Sequence, residues 1–321
     1  MAWLARLRDL VAGLLFRGRW WLRLAIGVVV LLALYYPLGM VLMHKIDDDP
    51  NFAAPAADRA GGGSAAVTIA AALIDREVDR YGWVANDPFF LPSSLLDNMP
   101  NYQIGIVSAL ARFAFELTDQ IGRARGSSQT DRDLQEAAGL LQYSPTKWVF
   151  DFSTSLAPTA TTEAQYNRAR GVLLRYNQRL GQGQAVFERR ADNLLAVIDR
   201  IALDLGASSA VLDRHIAEHS GMLLDTRADD LFYSIKGQLY AYALVLRELE
   251  IDYDRIIKEK ELGATWRNML DSLRHAAGLH PLVIVNGKPD GQLQPNHLAV
   301  QGFYLLRART QMREISNILL K

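Results

Sequence analysis

The sequence predicts an all-α protein: an N-terminal transmembrane helix followed by a periplasmic helical bundle with at most one short β-hairpin. Three observations predict it. The run Leu24–Met43 carries no charge, apolar residues recur with a helical period through most of the rest, and only Leu282–Val285 reads as a strand. Lys plus Arg balances Asp plus Glu at 35 each over 321 residues, so no basic excess points to nucleic acid. The chain has no cysteine, which excludes a disulfide framework, a thiol nucleophile and Cys-ligated metal.

The first element, 1–21, is expected to be a cytoplasmic amphipathic basic helix. Leu4, Leu7, Val11, Leu14 and Leu15 fall on one face, with Arg6, Arg8 and Asp9 on the other. The second, 22–43, is expected to span a bilayer, because twenty uncharged residues rise about 30 Å as a helix. Up to Ile46 there are six basic residues against the single Asp9, a balance of +5; the remainder carries −5. Asp47, Asp48 and Asp49 follow the span, so the positive-inside bias places the N-terminus in the cytoplasm and the rest in the periplasm. Ala54-Pro55-Ala56 offers small residues for signal cleavage, but it lies far beyond an apolar run that is itself too long for a signal core. An uncleaved anchor in the bacterial inner membrane is therefore expected.

Residues 44–64, rich in Asp, Ala, Pro and Gly, are expected to form a flexible linker, and 65–321 the periplasmic helical domain. Within it the apolar period predicts helices at about 65–81, 102–123, 130–142, 163–181, 184–205, 208–220, 228–262, 264–278 and 295–320. Gly206, Gly221 and Gly263 are placed just after helix ends, where a left-handed residue is wanted. Asn286-Gly287 is a hairpin signal after the one strand-like run.

Two long connections, 82–101 and 143–162, interrupt the helical pattern. Both are aromatic, and a partner surface made of Trp83, Phe89, Phe90, Trp148 and Phe152 is expected there; burial of the rings as plugs at the ends of the bundle is the competing outcome. The first connection, with Trp83, Asn86-Asp87-Pro88-Phe89-Phe90 and Leu96-Asp97-Asn98-Met99-Pro100-Asn101, together with HPLVIVNGKPDG at 280–291, resembles a family of uncharacterised single-pass proteobacterial envelope proteins, a domain of unknown function. The resemblance implies an inner-membrane protein of Gram-negative bacteria and carries over no catalytic residue.

One pattern has metal chemistry behind it. His215-Ile216-Ala217-Glu218-His219 matches H-x-x-E-H, in which two histidines at i and i+4 hold zinc and the glutamate polarises water. The third ligand of such peptidases is a downstream glutamate, yet none lies between Glu261 and Glu314, and histidines in a last helical turn are favoured by the helix dipole alone. Asp229 and Asp230 read as first-turn acids of a helix. No catalytic residue, cofactor or metal is assigned. The expected function is that of a non-enzymatic interaction or scaffolding component of the envelope, its partners the lipid bilayer and another envelope protein. The alternatives are a periplasmic zinc hydrolase using His215, Glu218 and His219, or a lipid- or ligand-binding carrier.

Overall fold

The computed structural model describes residues 2–59, 61–121, 130–151, 157–221 and 225–321, and side chains outside 2–20 and 120–121. The fold is all-α: 71% of the chain is helical, and the described residues contain no strand. The Leu282–Val285 run ends in a single antiparallel bridge between Asn286 and Asn296. The chain divides into two compact units, Met1–His44 with Pro88–Leu96, and Lys45–Asp87 with Asp97–Lys321.

In the first unit, α1 (Ala2–Met43) is one unbroken helix, so the backbone marks no boundary between a surface helix at 1–21 and a span at 22–43. Its segment Trp21–Met43 is long and apolar enough to cross a membrane, and none of it is buried. A one-turn 3-10 helix, Pro92–Leu95, packs against α1.

The second unit is a bundle. Its helices are α2 (Ala65–Asp75), α3 (Asn98–Glu116), α4 (Arg132–Leu141), α5 (Thr162–Gly181), α6 (Ala191–His219), α7 (Thr226–Asp252), α8 (Asp254–Glu259), α9 (Gly263–Ala277) and α10 (His297–Leu319). The bundle is built around α7, which packs against α3, α2, α9 and α10, while α4 and α5 pair on one flank and α6 lies along α10. Every residue of α7 from Ile235 to Leu246 is buried, as is every residue of α2 from Ala66 to Asp75. A helix apolar all round belongs in the middle of a core, and the stretch AAVTIAAALI at 65–74 is such a sequence. Ser64 caps α2 by accepting from Val67 N, and Asp252, at the far end of α7, accepts from Ser64 Oγ, Ala65 N and Ala66 N.

The α3–α7 crossing is made possible by glycine. A Cβ on Gly105 would collide with the carbonyl oxygen of Ser234, and one on Gly237 with that of Tyr102, so the two backbones touch.

Three expectations about helix ends are corrected. The expected break at Gly206 is absent, and α6 runs through it: Arg309 lays its guanidinium over Gly206, which has no Cβ to obstruct it, and donates to Ala202 O. Residues 184–190 precede α6 and are not helical. The long helix expected over 228–262 ends at Asp252, and the left-handed residue falls on Glu261 (φ 54°), not on Gly263, which begins α9.

The expected flexible linker is also not what is found. Lys45–Ala54 and Gly61–Ser64 are packed into the second unit: Ala54 is buried, Ser64 N donates to Asn177 Oδ1, and Gly61 O lies against Gly181. The composition suggested a tether because the partners that hold these residues lie up to two hundred positions away.

Replacing Gly237 by Ala drives a methyl group into the Tyr102 carbonyl across a well-packed crossing. A loss of about 1–3 kcal/mol is expected, read as a lower denaturant midpoint with an unchanged slope; an unaltered midpoint would show that the helices can separate freely.

Candidate functional site

The polar centre of the second unit grows out of α2. After Asp75 the helix continues as a π-helical turn, Arg76–Arg80, in which Tyr81 N donates to Arg76 O. The wider turn keeps Arg76 and Glu77, adjacent in sequence, both inside: Arg76 is 1% exposed and Glu77 fully buried. The guanidinium pairs with Glu77 Oε1 at 2.7 Å, donates to Tyr240 Oη at 2.8 Å, and lies within 4.6–5.7 Å of the ring centroids of Phe52, Tyr240 and Tyr81. On α7, Lys236 is equally buried.

The residues just after the apolar helix fill this centre as a strap. Asp47 stands 3.6 Å from Arg76 and accepts from Tyr81 Oη at 2.6 Å, while Asp48 accepts from Lys236 Nζ at 2.6 Å and lies 3.0 Å from His280 Nε2. The strap's carbonyls are also taken. Tyr102 Oη donates to Asp47 O, Tyr240 Oη to Asp49 O, and Arg247 to both Pro50 O and Phe52 O, at 2.7–2.9 Å. An extended segment needs such partners, since it has no ladder of its own.

Ionisation follows from this packing. Burial opposes the Asp47 carboxylate, but the Tyr81 hydroxyl, the Asp49 amide and Arg76 together hold it below the ordinary value. Burial and the Asp47 hydrogen bond push the Tyr81 phenol up to about 12. Burial pushes Glu77 upward, with Arg76 opposing, and lowers Lys236, with Asp48 opposing. The charges neutralise one another and hold the strap.

An open groove of about 460 Å³ runs beside α3, lined by Ile104, Val107, Ala111, Phe115, Tyr143 and Tyr166. Arg112 and Arg200 stand on it, 3.8 Å from Asp204 and 3.3 Å from Glu116 respectively.

The expected site residues scatter. Trp83 is 3% exposed, donates from Nε1 to Pro145 O and meets Tyr166 edge-to-face; it belongs to the core, and its place in a partner surface is withdrawn. Trp148 is half-buried and packs edge-on to Phe150, 5.7 Å between centroids. Phe89 and Phe90 are exposed, but they belong to the first unit. Phe152 lies outside the described residues. His215 and His219 share a helix face and stack, 4.6 Å between centroids, so the rings lie parallel. His215 Nε2 is 2.8 Å from Asp225 Oδ2, and Glu218 is exposed. Asp225 also caps α7 and accepts from Asn286, which ties this corner to the 286–296 bridge. Burial opposes its carboxylate, yet the Asn286 and His215 hydrogen bonds keep it below the usual range. No grouping of three ligands suited to a metal occurs among the described residues.

Sequence reasoning passed over Arg76, Glu77, Lys236 and the strap acids. A signal was there: Arg76 and Glu77 directly continue a helix that is apolar all round, and a charge buried there needs a counter-charge.

Arg76→Ala would leave Glu77 buried without its partner and remove the cation that Asp47 faces. A loss of about 3–5 kcal/mol is expected in thermal or urea melts; a variant as stable as the parent would show that the strap needs no buried cation. A pH effect follows from Asp229, half-buried in the first turn of α7. Burial, then Asp97 and Asp230, push its carboxyl up to about 6. A carboxyl raised on folding adds stability below its unfolded value, near 4, and that stability is lost as pH rises through about 6. Asp229→Asn should therefore gain on the parent by on the order of 1 kcal/mol between pH 4 and pH 7.5, after allowance for solvent screening. A constant difference between the two across that window would remove the effect.

Comparisons with known proteins bear on the whole chain. No curated protein and no solved structure matches it. A bacterial family described as an uncharacterized protein conserved in bacteria, DUF2333, matches residues 12–227 and 224–321. The chain belongs to the DUF2333 family of bacterial proteins.

Proposed function

We propose that this protein is a membrane-anchored, non-catalytic interaction or scaffolding component of the bacterial envelope. In this reading α1 is an uncleaved inner-membrane anchor with its N-terminus in the cytoplasm, and the bundle lies in the periplasm. The apolar, unburied Trp21–Met43 and the basic residues before it support the anchor and its direction.

The observation that carries the functional reading is the strap. The buried cations Arg76 and Lys236 are committed to Asp47 and Asp48, on the stretch of chain that leaves the apolar helix. Only His44, Lys45 and Ile46 separate Met43 from the first clamped residue. A polar centre used in this way serves attachment, as a scaffold requires, and provides no place for turnover. The groove beside α3 is then the face for a partner, because it presents the exposed ring of Phe115 beside Arg112, and aromatic and arginine side chains supply most binding energy at interfaces.

The groove's volume also favours a second reading, that of a carrier: about 460 Å³ falls in the range of small-molecule sites. A photo-crosslinking amino acid placed at Phe115 or Tyr143 of the full-length protein in living cells distinguishes the two. Protein adducts at these positions, absent from a control at exposed Asp290, are expected. Lipid or small-molecule adducts would favour the carrier, and adducts no different from the control would remove the groove as a binding face. Mass spectrometry of the same purified protein should find Met1–Ile46 retained; loss of this stretch would overturn the anchor.

A further inference from the structure

The first unit contains more than a helix. Residues 88–96, Pro-Phe-Phe-Leu-Pro-Ser-Ser-Leu-Leu, leave the bundle after Asp87 and return to it at Asp97, and between those two acids there is no charge. The loop is fastened to α1 at three points. Tyr36 Oη donates to Phe89 O at 2.9 Å, and Tyr35 Oη to Phe90 O at 3.1 Å. The ring of Pro92 sits directly over Gly39, where a Cβ would collide with it. On α1 the partly covered positions Tyr36, Gly39, Met40 and Met43 recur at i, i+3, i+4 and i+7, whereas Leu34, Leu38, Val41 and Leu42 between them are exposed.

The depth of this attachment sets its meaning. A hydrocarbon core of about 30 Å takes about twenty helical residues, which from Trp21 ends near Val41. Tyr36 stands five residues before that point, or about 7 Å inside the core on the side of the helix's C-terminal end. A backbone polar group left without a partner at such depth costs several kcal/mol, so a loop there must find partners within the protein. The loop satisfies five of its nine carbonyls. Phe89 O accepts from Tyr36 and Ser94 Oγ, Phe90 O from Tyr35, Leu91 O from Ser94 N and Oγ, Pro88 O from Leu91 N, and Ser93 O from Leu96 N. Pro88 and Pro92 bring no N–H. Outward, the same loop shows apolar surface: Phe89 is 83% exposed and Leu95 58%.

We infer that loop 88–96 is a second membrane-contacting element, a wedge that enters the leaflet at the C-terminal end of α1 and sets Phe89 and Leu95 among the acyl chains. The occupant of this apolar surface is lipid, because the loop is mounted on the flank of the helix that lipid surrounds and carries no charge of its own. This rests on the anchor reading of α1. The bundle is thereby joined to the bilayer at two places in the sequence, the strap at 45–52 and the loop ends at Asp87 and Asp97.

The absence of cysteine makes the test clean. Phe89→Cys, Leu95→Cys, Leu34→Cys and Asp290→Cys are each spin-labelled in the full-length chain and reconstituted into vesicles of phosphatidylethanolamine and phosphatidylglycerol. Relaxation by oxygen, which concentrates in lipid, is then compared with relaxation by a water-soluble nickel chelate. Labels at 89 and 95 should respond to oxygen over nickel, as at Leu34 on the helix, and in the opposite order to Asp290 on the bundle. If both loop positions respond like Asp290 while Leu34 reports lipid, the wedge is overturned and the anchor stands. If Leu34 also reports water, the anchor itself fails. Loop labels shielded from both reagents would place protein against the loop and overturn the lipid assignment.

Discussion

Two cations, Arg76 and Lys236, are buried inside the bundle, one on the π-helical turn that continues α2 and one on α7. A charge removed from water into such an interior costs several kcal/mol unless it is paired and hydrogen-bonded. Glu77 supplies one counter-charge from the same π-helical turn but is itself buried and carries an oxygen that finds no partner. The remaining negative charge comes from Asp47 and Asp48, outside the helices altogether. The strap is thus a requirement of the core. Without it the bundle would hold two cations against a single carboxylate; with it, the carboxylates at the start of the second unit are drawn into its centre.

That requirement depends in turn on a close crossing of backbones. Tyr102 and Tyr240, which donate to the strap's carbonyls, lie on α3 and α7, and those helices reach contact only because Gly105 and Gly237 leave room for the carbonyls of Ser234 and Tyr102. Helices held apart by side chains at the crossing would carry the two phenols away from the strap. Packing and polar satisfaction are therefore a single constraint, with the glycines setting the spacing at which the tyrosines can work.

Residues that might suggest chemistry are explained by structure on the same terms. The two histidines of the H-x-x-E-H pattern stack face to face, and His215 turns to Asp225, a residue already engaged in capping α7 and anchoring Asn286. Trp83 closes the core against Pro145 and Tyr166. A groove beside α3 faces outward, as does, in the other unit, an uncharged loop fastened to an apolar helix. Both are the surfaces on which the proposed attachment and binding rest.

The fold class, the apolar helix and the order of the bundle helices could be read directly, because each depends on periodicity and charge within a window of ten to twenty residues, the range over which side chains on one helix share a face. The sequence also placed Gly221 where a left-handed residue is needed. It could not show that Asp47 pairs with Arg76, or that Asp48 meets Lys236 from 188 positions away. A strap of Asp, Pro and Ala has the composition of a tether, and nothing local distinguishes a solvated aspartate from one that neutralises a buried lysine. Gly206 illustrates the same limit: a glycine is as suited to ending a helix as to admitting Arg309, and only the neighbour decides. Local sequence determined which segments became helices, since that free energy is spent within a few turns. Tertiary structure alone decided which charges are buried together, because the cost of burying each is set by a partner that the chain brings back from elsewhere.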